Sequence, residues 1–204
     1  MKGSMNISLD PVYDKLYQKI LLQEELIKDI ITEAKKQGWD DGSFSDRFLK
    51  AEAGPLQIAV ACEDIEKGLQ ELIANVEGRY AALISELLSL DPARLTNLEK
   101  VAYTFGAKHA IPRNSSPSEA YQLFEGIFLD GMPEDQARCL LTQSDSVCSW
   151  QLLKDLHSSY WTSLSSDSKI YYILRKKILE GMFFDTMLSV GQTEENTFEI
   201  RKEG

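Results

Sequence analysis

The chain has 204 residues, 43% of them hydrophobic, which is material for one sizeable core and scarcely for two. A net charge of −10 and a pI near 4.8 argue against nucleic acid as a partner, because a phosphate backbone is held by clustered Lys and Arg. Cys62, Cys139 and Cys148 are an odd number without CxxC spacing, so neither a disulfide framework nor a zinc site is expected, and a reducing, cytoplasmic setting fits. No window approaches the apolar run of a membrane span and the N-terminus lacks the regions of a signal peptide, so any membrane contact is expected to be peripheral, on the inner face.

Val12, Leu16, Ile20, Ile27, Ile30 and Ile31 recur at three- and four-residue spacing and predict a first helix from Pro11 to Lys36. Gly38, in Gln37-Gly38-Trp39-Asp40-Asp41-Gly42, supplies a residue able to take positive φ at its end. A short helix from Ser43 to Ala53, capped by Ser43 or Ser45, is expected to stop at Gly54-Pro55. Leu56 to Leu90 reads as one long helix or two collinear ones, after which Asp91 caps a helix with Pro92 in its first turn, extending over Ala93 to His109. Turn formers from Ile111 to Ser118 make a linker, and Ser118 is placed as the cap of a helix through Leu129. Asp130-Gly131-Met132-Pro133 is a second stop, leading into a helix over Glu134 to Leu141. Helices from Ser149 to Tyr160 and from Asp167 to Val190 close the chain, and the polar tail from Gly191 is expected to fray. No strand-like alternation or internal repeat stands out, so the fold class expected is all-α.

Catalytic patterns are scarce. Only His109 and His157 are present, and neither has a glutamate three residues before it, which removes a paired Glu-x-x-His di-iron bundle. The phosphate loops GxGxxG and GxxxxGK[ST] are absent, as are HExxH and GxSxG. Asp155 and His157, two residues apart, point to different sides of an expected helix and with Ser158 imitate a triad only in a list, so His157 reads as a partly exposed surface residue. No catalytic residue, cofactor or metal ligand is assigned, and the expected activity is binding without catalysis. In the last helix Ile170, Ile173, Leu174, Ile178, Met182, Phe183, Met187 and Leu188 form a wide apolar face. That face is either core or, with Tyr171, Tyr172 and Phe184, the wall of a cavity for a long apolar molecule. Arg175, Lys176 and Lys177 break it with a basic cluster that could meet lipid headgroups, a carboxylate partner or water.

The order helix, Gly38-Trp39, short helix, Ala51-Glu52-Ala53-Gly54, long helix resembles the N-terminal part of the ubiquinone (coenzyme Q) biosynthesis accessory lipid-binding family. The family's C-terminal signature looks like Ser165-Ser166-Asp167 through Tyr171-Tyr172, Arg175-Lys176 and Ile178-Leu179 with Met182-Phe183 and Thr186, and Thr197-Phe198 with Arg201-Lys202 echoes its tail. The resemblance implies a TetR-regulator-like helical bundle, usually a homodimer, with a vestigial helix-turn-helix over residues 1–70, a ligand-binding part over 71–190 and a polar tail over 191–204. It further implies an isoprenoid quinone intermediate held near Ile178, Met182, Phe183 and Thr186, and presented to a partner hydroxylase through Asp167, Tyr171, Tyr172, Arg175 and Lys176. The segment Pro55–Cys62, standing where a recognition helix would lie, has no basic residue and so is not expected to read DNA. A rival reading is a small acidic helical adaptor or chaperone for secretion cargo or another protein partner, which composition alone does not separate from the first.

Overall fold

A computed structural model describes residues 11–50 and 64–203. The Ala51–Gly54 motif, the stop at Gly54-Pro55 and the Pro55–Cys62 segment lie outside the described residues. Helix α1 (Pro11–Lys36) has the expected bounds and buries Leu16, Ile20, Ile27, Ile30 and Ile31, while Val12 stays exposed near its start. It ends at Gly38, whose φ of 70° lets the Trp39 N–H reach back to the Ala34 carbonyl at 2.8 Å. The chain then restarts through side-chain caps. Asp40 accepts N–H groups from Gly42 and Phe44, Asp41 accepts that of Ser43, and the Ser43 hydroxyl makes no capping bond. Within the described residues the short helix α2 covers only Phe44–Phe48.

Asp64 caps α3 (Ile65–Leu90) by accepting the Lys67 N–H. Arg79 on α3 ties three elements, pairing with Glu24 of α1 and donating to the Phe48 carbonyl at the end of α2. Residue 70, the expected limit of an N-terminal part, falls inside α3. Asp91 accepts the Ala93 N–H and opens a 3-10 turn, Pro92–Arg94, that runs into α4 (Leu95–Lys108). Helix α5 (Pro117–Ile127) starts two residues earlier than expected, because Ser116 and Glu119 form a reciprocal capping box with Pro117 in the first turn.

The expectation of an all-α, TetR-like bundle is overturned in the C-terminal third. Strands β1 (Arg138–Gln143), β2 (Val147–Leu152), β3 (Leu188–Glu194) and β4 (Thr197–Lys202) form one antiparallel sheet in the order β1-β2-β4-β3. The expected helices over Glu134–Leu141 and Ser149–Tyr160 give way to β1, β2 and the short helix α6 (Ser158–Thr162). The closing helix is α7 (Lys169–Met182), shorter than the span to Val190, and the tail from Gly191 is paired strand, not frayed chain. The physical reason is period two: Cys148 and Trp150 alternate into the core, and opposite them stand Ile200 and Phe198. Asn196, with φ of 61°, turns β3 into β4. Trp150 seals the sheet onto α5 through Tyr121 and Phe124, with ring centroids 5.1 and 5.2 Å away. Among the described residues no helix is long and apolar enough to cross a membrane.

Helices α4 and α7 touch backbone to backbone. A Cβ on Gly106 would stand 2.0 Å from the Ile178 carbonyl oxygen, and one on Gly181 would stand 2.1 Å from that of Tyr103. Both glycines are therefore required by close approach. Gly106→Ala or Gly181→Ala is expected to destabilise the fold by about 3 kcal/mol or more, because only the helix axes can yield. Gly78→Ala on α3, where a Cβ meets nothing within 4 Å, is expected to add about 0.5–1 kcal/mol through helix propensity. Urea unfolding followed by circular dichroism measures both.

Candidate functional site

A charge is buried only at a cost that paired partners must offset, so the place where several are buried together marks a built constellation. Here it lies where α3, α7, the loop after α5 and the start of β1 converge. Asp130 follows the end of α5. Its carboxylate receives Arg175 in fork geometry, Nη1 to Oδ1 at 2.8 Å and Nη2 to Oδ2 at 3.1 Å, and Arg138, the first residue of β1, on Oδ2. Arg138 also reaches Glu125 of α5 at 2.5 Å. One turn before Arg175 on α7, the Tyr171 hydroxyl accepts from Arg175 at 2.9 Å and stands 3.0 Å from His157 Nε2. The same ring nitrogen is 3.1 Å from Asp130, and Nδ1 is 3.4 Å from Glu77 of α3. The guanidiniums rest on aromatic faces, Arg175 4.0 Å from the Phe128 centroid and Arg138 5.1 Å from that of Phe124.

His157 is 5% exposed, which corrects its reading as a surface histidine. The helix on which that reading rested is absent. Instead Asp155 accepts the N–H groups of His157 and Ser158, making a turn that points the imidazole inward to stack on Tyr171 at 4.0 Å. Both ring nitrogens therefore face protein groups: a carboxylate at Nδ1, and a carboxylate and a hydroxyl at Nε2. No nitrogen is left turned toward a substrate, as a general base requires.

Two clefts flank the cluster. The wide one, about 820 Å³, runs between the start of α1, α5 and the inner face of β1, with Glu125, Asp130 and Arg138 in its floor. Its rim carries Lys15 and Lys19 beside apolar Val12, Leu16, Tyr121 and Leu140. Burial pushes the Lys19 ammonium below its ordinary value, with Glu125 opposing, and Arg138, Arg175 and Lys15 add to the depression. The narrow cleft, about 200 Å³, lies on the other side, against Glu77 and His157.

The expected site residues separate. Tyr171 and Arg175 join the cluster, Tyr171 buried and donated to by Arg175. Ile178, Met182 and Phe183 are buried in the core and line neither cleft. Thr186 closes the turn after α7 by donating to the Phe183 carbonyl. Asp167 is exposed and accepts the Lys169 N–H ahead of α7, Tyr172 is half-buried beside Asp155, and Lys176 is exposed. Sequence reasoning missed Glu77, Asp130, Arg138 and Lys19. Glu77 did leave a signal, as a carboxylate among the core positions Ile73, Val76, Tyr80 and Ile84 of α3. No protein-family model, curated protein or solved structure matches the chain.

Asp130→Asn keeps the side chain's shape but leaves two inward guanidiniums short of their shared countercharge, and is expected to cost about 3–5 kcal/mol. Tyr171→Phe, removing one hydroxyl from the same network, is expected to cost about 1–3 kcal/mol. Guanidinium unfolding of both variants checks the order.

Proposed function

We propose that the protein acts by binding, as an adaptor that holds an extended, acidic and amphipathic segment of a partner protein in the wide cleft. The observation that carries this reading is the placing of Lys15 and Lys19 at one cleft whose carboxylates, Glu125 and Asp130, are already taken up by Arg138 and Arg175, in a chain of net charge −10. Like charges held this close repel one another, and an incoming carboxylate relieves that repulsion. The apolar neighbours Val12, Leu16, Tyr121 and Leu140 supply the hydrophobic part of the contact. Among the described residues strand β1 is at an edge of the sheet and pairs with β2 alone, so its outer backbone groups can accept an added strand. The engagement of both His157 nitrogens within the protein also favours holding over chemistry.

The isoprenoid-presenting reading located its ligand on α7, where Ile178, Met182 and Phe183 pack into the core against the rest of the chain. It draws its support from the resemblance alone. The test uses fluorescence anisotropy with a labelled ten-residue peptide of alternating Val and Glu, its Val/Lys counterpart, and native mass spectrometry of the purified protein. Micromolar binding of the acidic peptide, weakened about tenfold by Lys19→Glu and by raised salt, is the expected result. Equal binding of the basic peptide, or a co-purified isoprenoid that Leu140→Asp expels, would overturn the adaptor reading.

A further inference from the structure

The narrow cleft has the opposite character from the wide one. Glu77, Asp135, His157 and Tyr160 line it, with Ile73 and Leu156 among its apolar walls, and among the described residues its lining holds no Lys or Arg. Glu77 is 2% exposed. Among the described residues its Oε2 has His157 Nδ1 as a partner, at a long 3.4 Å, and its Oε1 has no hydrogen-bond partner. A buried carboxylate oxygen left unpaired is unusual, since such atoms are satisfied in nearly all folded proteins. The cleft beside it, about 200 Å³, has room for much more than one water molecule, which occupies roughly 30 Å³ in the liquid.

We propose that this cleft binds a small primary ammonium compound, its N–H donating to the Glu77 carboxylate and its apolar body lying against Ile73 and Leu156. Charge selects the ligand, because carboxylates meet no competing Lys or Arg in the lining. An ammonium fits better than a metal ion: among the described residues no three His, Cys, Asp or Glu side chains gather as ligands, whereas an amine needs one well-placed carboxylate. Tyr160 adds an aromatic ring at the same wall. Asp135 adds a second carboxylate to the lining, its Oδ2 accepting the Met132 N–H at 2.8 Å.

Benzylammonium, titrated calorimetrically against the full chain, tests this, with benzyl alcohol as the neutral probe of the same shape. The amine is expected to bind one to one and the alcohol about tenfold or more weakly. Glu77→Gln keeps the volume and removes the charge, so it should lower amine affinity by a similar factor while circular dichroism stays unchanged. Leu156→Trp, which fills the cleft and leaves Glu77 in place, should abolish amine binding. Lys19→Glu should leave it intact, so failure here is distinguishable from failure of the peptide reading. No heat with benzylammonium, equal affinity for the alcohol, or an unaltered Glu77→Gln variant would overturn the assignment.

Discussion

The fold is organised around one carboxylate. Asp130 ends the run from α5 and receives Arg175 from α7, Arg138 from β1 and His157 from the turn before α6, so four separate stretches of chain meet at two oxygen atoms. Buried ion pairs seldom add much net stability, because desolvation consumes most of the Coulombic gain, yet breaking one leaves an uncompensated charge. The value of such a cluster is geometric. Each guanidinium offers its donors in a fixed fork, so the angle at which β1 leaves the bundle is set by where Arg138 must point. The sheet is thereby registered against the helices by polar contacts on one side and by Trp150 on the other.

Because the cluster satisfies itself at its centre, chemistry is displaced to its margins. On one side the cations outnumber what Glu125 and Asp130 neutralise, leaving Lys15 and Lys19 facing a cleft. On the other, Glu77 keeps an oxygen that nothing in the network reaches. The two clefts share Gly131 and Met132 in their walls, so a short piece of chain separates regions of opposite sign.

The helical half of the chain was legible because its signals are local. Gly38 ends α1, Asp91 and Pro92 open the next turn, and the apolar stripe of α1 falls where three- and four-residue spacing puts it. The sheet was missed for a reason of length. Each strand has six or seven residues, and in β1 only Arg138 and Cys139 are even partly covered, so alternation has almost nothing to register. The clearest strand signal, Cys148 and Trp150 in β2, is split by an expected helix that starts at Ser149, and Phe198 with Ile200 reads as part of a polar tail because the apolar residues opposite them, Trp150 and Cys148, are far away in sequence. Asp130 was read as a helix stop, which it is, but a stop signal says nothing of what its side chain will meet. Tyr171 and Arg175 stand out in the sequence as a candidate cavity wall and part of a basic cluster, and are central for another reason: four residues apart on α7, they present a hydroxyl and a guanidinium to one buried carboxylate network.

The soft side chains of α7 show why an apolar face does not by itself announce a ligand. Met182 and Ile178 lie beside Gly181, where α7 and α4 approach until a single methyl group would collide with a carbonyl. At such a crossing the spaces between neighbouring side chains are irregular, and a flexible thioether fills them better than a branched chain can. Cavities persist where elements of different periodicity meet and neither can follow the other's surface. That is the situation of β1, a strand at the sheet's edge facing the start of α1 and one side of α5, and the wide cleft opens there.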